Sequence, residues 1–270
     1  MSPIFARRAP FNLLAALLAV LGVAAVTACS RPDAVVHHDR TEELMKKGYS
    51  PAPVVLKVSQ TAPDKVVIDG QALPEGRVRF LCGLDGQQRA IGLTADDKGH
   101  FSAELPTGPN GNVFDLSMEN SGSLMHAEGR LFVPPNQPGK AVFMRPGAPS
   151  LPLVSQGGGL AIVDYDSAGA FAVVGRVAPR APVNLIVDGE VRARTTSDAN
   201  GMFSAVTQVA MPGQSQATVK VEADAAGASW HRDVQISAPT TQVDTASQMG
   251  DGWRVDWRLP GGGMQTTLIF

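Results

Sequence analysis

The residue types that usually carry chemistry are scarce in this chain. Its 270 residues hold five histidines, none in a spaced pair such as H-E-x-x-H, which argues against a zinc enzyme. No G-x-S-x-G, phosphate loop or G-x-G-x-x-G occurs, so the hydrolase and nucleotide signatures are missing. No pair of carboxylates stands out as a glycosidase candidate. Charged residues make up 18%, the formal net charge is −2, and no basic block is present. Nothing would grip a phosphate backbone, so nucleic acid is not expected as a partner. Cysteines number two, Cys29 and Cys82, too few for a disulfide framework. These absences lead us to expect a protein that is not an enzyme and holds no cofactor and no metal.

Hydrophobic residues, at 44%, are plentiful enough to bury a core. With 28 Gly and 20 Pro, turns are frequent, which favours many short strands over long helices. The length is ample for two domains.

The N-terminus reads as an export signal. Arg7 and Arg8 precede an apolar run from Phe11 to Val26, short of the roughly 20 residues that span a bilayer. The run ends Val26–Thr27–Ala28–Cys29. This resembles a bacterial lipobox, an aliphatic residue and two small residues before Cys. The resemblance implies cleavage before Cys29 and acylation of Cys29, with several acyl chains giving lasting membrane attachment. Ser30, where sorting to the inner membrane favours Asp, implies the outer membrane, facing the periplasm. Cleavage removes two arginines and no acidic residue, so the mature chain is more acidic than the whole. Residues 29–53 form a tether. Asp39 with Glu42 suits a helix N-cap, predicting two helical turns over Thr41–Lys47 ended by Gly48. His37 and His38 are adjacent, point different ways, and read as linker.

One stretch occurs twice. Gly70–Gln71–Ala72–Leu73–Pro74, then Val78, Phe80, Cys82 and Asp85–Gly86, leads to Asp96–Asp97–Lys98–Gly99–His100–Phe101. Gly175–Arg176–Val177–Ala178–Pro179, then Val183, Leu185, Val187 and Asp188–Gly189, leads to Asp198–Ala199–Asn200–Gly201–Met202–Phe203. Within each copy, apolar residues alternate with polar ones, as in Arg77–Val78–Arg79–Phe80–Leu81–Cys82. That period of two marks a half-buried strand. Asp–Gly pairs mark hairpin turns, and Gly70/Gly175 read as turn punctuation too. Cys82 replaces the core Val187 and reads as a small core residue. Asp96, Asp97, Asp198 and Asn200 offer oxygens to calcium, but turn chemistry explains them equally well.

About seven short strands per copy describe an immunoglobulin-like sandwich. The D-x-x-G-x-F turns at Asp96 and Asp198 resemble those of bacterial Ig-like and carboxypeptidase-regulatory-like modules. That resemblance implies spacers, adhesive elements or presenters of other domains. The expected fold is therefore all-β: two tandem Ig-like β-sandwiches at 54–149 and 150–239, after the signal peptide at 1–28. A linker and C-terminal β-hairpin occupy 240–270.

In that hairpin Trp253, Val255, Trp257 and Leu259 alternate with Arg254, Asp256 and Arg258. Such a face packs on something: a sheet of one module, or a partner with Trp253 and Trp257 as anchors. The expected function is a noncatalytic envelope lipoprotein acting in interaction or scaffolding. Its partners are the membrane through Cys29 and an envelope protein or peptidoglycan. The alternative is a carbohydrate- or peptidoglycan-binding module that stacks sugars on Trp230, Trp253 and Trp257.

Overall fold

A computed structural model describes residues 50–270 apart from 85–88, 155–156, 214 and 226. The signal peptide, Cys29, the helix expected over Thr41–Lys47 and the turn at Asp85–Gly86 lie outside the described residues. Those that are described form β-strands and turns, with one 3-10 turn at Pro138–Lys140.

In the first module the strands are β1 (Val54–Ala62), β2 (Lys65–Gln71), β3 (Arg77–Cys82), β4 (Arg89–Thr94), β5 (His100–Pro106), β6 (Asn112–Asn120) and β7 (Ser123–Val133). Two short ones, β8 (Val142–Met144) and β9 (Leu151–Pro152), complete it. One sheet runs β1-β2-β5 and the other β4-β3-β6-β7-β8-β9, every pair antiparallel. Alternation places Val58, Ile68, Phe101 and Leu105 of the first sheet against Phe80, Phe114, Leu116 and Met118 of the second. Phe80 sits at the centre, edge-on to Phe101 at 5.9 Å and to Phe114 at 6.4 Å between ring centroids. Edge-on contact sets the positive rim of one ring against the negative face of another. Cys82 is buried in this core, as the alignment with Val187 implies.

The second module repeats the order. Its strands are β10 (Gly159–Asp166), β11 (Ala170–Arg176), β12 (Pro182–Val187), β13 (Glu190–Thr196), β14 (Met202–Gln208), β15 (Gln216–Ala225) and β16 (Ala228–Ser237). Strands β10, β11 and β14 share one sheet, and β13-β12-β15-β16 form the other. Asp188 and Gly189, with φ of 51° and 82°, close the β12–β13 hairpin as a turn with two left-handed residues, which follows the strand twist.

The repeated glycines have a different role from the expected one. Gly70 and Gly175 lie inside β2 and β11, not in turns, and each faces a phenylalanine across the sheet: Gly70 pairs with Phe101 and Gly175 with Phe203. A Cβ on Gly70 would stand 2.1 Å from the Phe101 ring, and one on Gly175 2.7 Å from that of Phe203. The ring occupies the space a Cβ would take, which also shields a residue that has no side chain of its own to pack.

The D-x-x-G-x-F turns match in detail. Asp96 Oδ1 accepts the N–H groups of Lys98 and His100, and Asp198 Oδ1 those of Asn200 and Met202. The His100 N–H chiefly holds the Asp96 carboxyl below the usual range. A third copy, Asp166–Ser167–Ala168–Gly169–Ala170–Phe171, makes the same bonds to Ala168 and Ala170 between β10 and β11.

After β16 the expected C-terminal hairpin forms, and one further strand extends it. Three strands, β17 (Thr245–Met249), β18 (Gly252–Arg258) and β19 (Met264–Ile269), form a meander. Strand β19 pairs with β10, so the sheet becomes β14-β11-β10-β19-β18-β17. The outer face of this sheet packs on the outer face of the first module's larger sheet. Val113, Phe132, Val142 and Met144 meet Ile162, Val174, Trp253, Val255, Trp257 and Ile269 in one core cluster. Four sheets are thus stacked with three cores between them, and β10 and β19 are buried on both faces.

A polar chain crosses the shared core. Trp257 Nε1–H donates to Thr267 Oγ1 at 3.2 Å, and Thr267 Oγ1–H donates to Asp164 Oδ1 at 2.7 Å. The Ser150 hydroxyl and N–H, both 2.7 Å from the carboxyl, complete the set from the inter-module connection. Every member is satisfied, as a buried polar group must be. Burial nevertheless pushes the Asp164 carboxyl above its ordinary range, against the pull of these donors. A raised folded-state pKa means stability that is complete below the unfolded value and is lost as pH rises through the folded one. We expect wild type to lose ground to Asp164→Asn as pH rises from about 4, the unfolded carboxyl value. Denaturation midpoints of both proteins across pH test this, and a difference that does not move with pH contradicts it.

Candidate functional site: the cleft between the modules

Strand β7 is interrupted midway. Asp115 pairs with Arg130 and Ser117 with His126. Ala127, Glu128 and Gly129 therefore oppose Leu116 alone. Bulges of this kind break the ladder locally and re-aim side chains. The bulge needs its glycine: a Cβ on Gly129 would lie 2.1 Å from the Met144 carbonyl oxygen of β8.

Beside the bulge, Arg130 joins the two modules. Its Nε stands 2.7 Å from Asp115 Oδ1, and its Nη2 donates to Asp115 Oδ2 at 3.1 Å. Nη1 donates to Asp244 Oδ2 at 2.6 Å, from the segment leading into β17. Asp244 is buried and also accepts the Arg258 N–H at 2.9 Å. A planar guanidinium with five donors suits such a two-carboxylate clamp. Two further contacts fasten the meander to the first module: Trp253 Nε1–H donates to Gln137 Oε1, and Lys140 Nζ–H to the Asp251 carbonyl.

The bulge and the loop after β18 line a cleft of about 900 Å³. The bulge contributes His126 and Glu128 to the lining and the loop Arg258, Pro260 and Gly262, with Arg130 also among the lining residues. Hydrogen bonds between Leu259 and both Gly262 and Gly263 brace the loop. Interfaces between domains are where ligand clefts concentrate.

The tryptophans expected as binding anchors are placed elsewhere. Trp257 is 0% exposed and Trp253 4%. Both fill the shared core, Trp253 against Phe132 at 5.9 Å between ring centroids. Neither offers a face to a sugar ring or a partner, because the first module already covers that side of β18. Trp230 is half-buried and lies over the backbone of Gly159, where a Cβ would meet its Cδ1 at 3.2 Å. The three are not brought together as one aromatic platform. Cys29 lies outside the described residues. Among those that are described, no group of three or more His, Cys, Asp and Glu side chains is placed to hold a metal ion.

Sequence reasoning missed the cleft. The only written signal is Gly129 inside a strand, a usual mark of a bulge. The ion pair that joins the modules comes from residues far apart in the chain, and no local pattern joins Arg130 to Asp244.

No family model and no curated protein matches the chain. Two solved structures resemble it at 11% identity. One is the central fibronectin-III array of RIM-binding protein, with 77% of this chain and 71% of that chain covered and a TM-score of 0.27. The other is invasin, a bacterial integrin-binding protein, with 80% of this chain and 54% of that chain covered and a TM-score of 0.22. The chain's own strand order, the same in both modules, makes it an all-β protein of two tandem Ig-like sandwiches.

Proposed function

We propose that this chain is a noncatalytic cell-envelope lipoprotein that acts as a rigid interaction or scaffolding arm. Acylated Cys29 holds it to the outer membrane, facing the periplasm, and residues 30–53 tether the body. The observation that carries the reading is the shared core. Domains in one chain usually meet through modest polar interfaces and move relative to each other. Here the clustered apolar contact between the modules includes two buried tryptophans, so the two sandwiches form one stiff body. Stiffness suits an element that holds a binding surface at a set distance from a membrane. The Val26–Cys29 motif and Ser30 support the address.

Cys29→Ala is expected to move the protein from the membrane fraction to the soluble fraction at high salt. Continued sedimentation with membrane would refute the anchor. Crosslinking of the wild type in cells, followed by purification, is expected to capture a reproducible envelope partner. Repeated recovery of the protein alone would count against the interaction role.

A further inference from the structure

The geometry points to the cleft between the modules as a binding site for a short zwitterionic peptide, its carboxylate on Arg258 and its ammonium on Glu128. Charge accounting around the cleft leads there. Arg130 is neutralised by Asp115 and Asp244. Asp244 is itself spent: one oxygen takes Arg130 and the other the Arg258 N–H. The Arg258 guanidinium is left with a 3.7 Å approach of Nε to Asp244, and its side chain is 59% exposed. Its terminal nitrogens have no partner among the described residues, and Arg258 lines the cleft. Glu128, also in the lining, is exposed on the bulge and has no hydrogen bond or ion pair among the described residues.

A weakly engaged guanidinium and an unpaired carboxylate in the lining of one cleft complement a ligand carrying both charges. A guanidinium fork also favours a carboxylate over a hydroxyl or a carbonyl. The volume suits a ligand of drug-like size, which a peptide of a few residues matches. The backbone of Ala127–Gly129, out of ladder register, adds hydrogen-bonding groups for an extended peptide along the wall. Arg130 and Gly129 set the cleft's shape and are not asked to touch the ligand. The inference does not depend on the anchor at Cys29.

Calorimetric titration of the full-length protein, purified in detergent at low ionic strength, tests it. The probes are trialanine, its C-terminal amide and its N-acetyl form. Trialanine is expected to bind saturably, and either block to weaken it about tenfold, the effect of one lost charge-assisted hydrogen bond. In Arg258→Gln, amidation is expected to carry no further penalty while acetylation still does. Glu128→Gln is expected to show the converse. Both side chains are exposed, and unchanged melting temperatures will show that the fold persists. Absence of saturable trialanine binding, equal binding of all three probes, or variants that keep both penalties would overturn the proposal. Membrane fractionation plays no part in these readouts, so failure here and failure of the anchor are separate results.

Discussion

Removal of residues 240–270 is expected to abolish the stable fold of the second module, not merely to shorten the protein. The deletion takes away β17, β18 and β19. It opens the β10 edge over Ile162–Asp166, where β19 is paired. It also strips Trp253, Val255, Trp257 and Ile269 from the shared core and Leu268 from the second module's own core. Each large apolar side chain contributes about 1.5–3 kcal/mol when buried. Five of them together approach the whole stability of an ordinary domain, about 5–15 kcal/mol. The bared strand edge and apolar face then invite intermolecular pairing. Gel filtration and a thermal melt decide the matter: aggregation or loss of a cooperative transition is expected. A truncated protein that stays monomeric and melts within a few degrees of the intact one would show the meander to be an appendage.

Trp257→Ala is expected to cost about 3–5 kcal/mol, the usual range for a large aromatic removed from a filled core. It leaves a cavity between two sheets that are each held by other contacts and cannot collapse freely. It also removes the Nε1–H donor to Thr267, at the head of the chain that ends on Asp164. Trp257→Phe keeps most of the volume and is expected to cost less than half as much. Trp230→Ala is the control for a half-buried indole, expected at about 1 kcal/mol. Denaturant midpoints rank the three variants. A Trp257→Ala loss no greater than that of Trp230→Ala would mean that Trp257 does not hold the modules together. The same series separates a packing role from a recognition role, because a residue kept for a partner costs little stability when removed.

Most strands were legible because one face of each is wet. Arg77–Cys82 alternates and forms β3 with those bounds. Met264–Ile269 does not alternate, since both faces of β19 are buried and its glutamine and threonines are satisfied by partners such as Asp164 and Asp256. The faces of β18 were legible from Trp253, Val255 and Trp257. What covers them was not, because an apolar stripe looks the same against a partner, a membrane or another part of the chain. Gly70 and Gly175 read as turns because the sequence does not show the phenylalanine that lies over them. The third turn, at Asp166, is plainly written, but it falls outside the order of the repeat and so escaped a reading built on that order. The cleft was the least legible feature, depending on a bulge and on an ion pair between Arg130 and Asp244, more than a hundred positions apart.

The pairing of β10 with β19 has a consequence for how the molecule is made. A polypeptide leaves the ribosome from its N-terminus. The first module's strands are all present before the second module begins. The second module has its opening strand early and must wait for β19, about a hundred residues later, to flank it. Sandwiches built on such distant pairings are slow to form. Until Met264–Ile269 arrives, the β10 edge that it covers stays open. A product lacking that strand would therefore be a different molecular species, one recognisable to a protease or chaperone by an unfilled strand position.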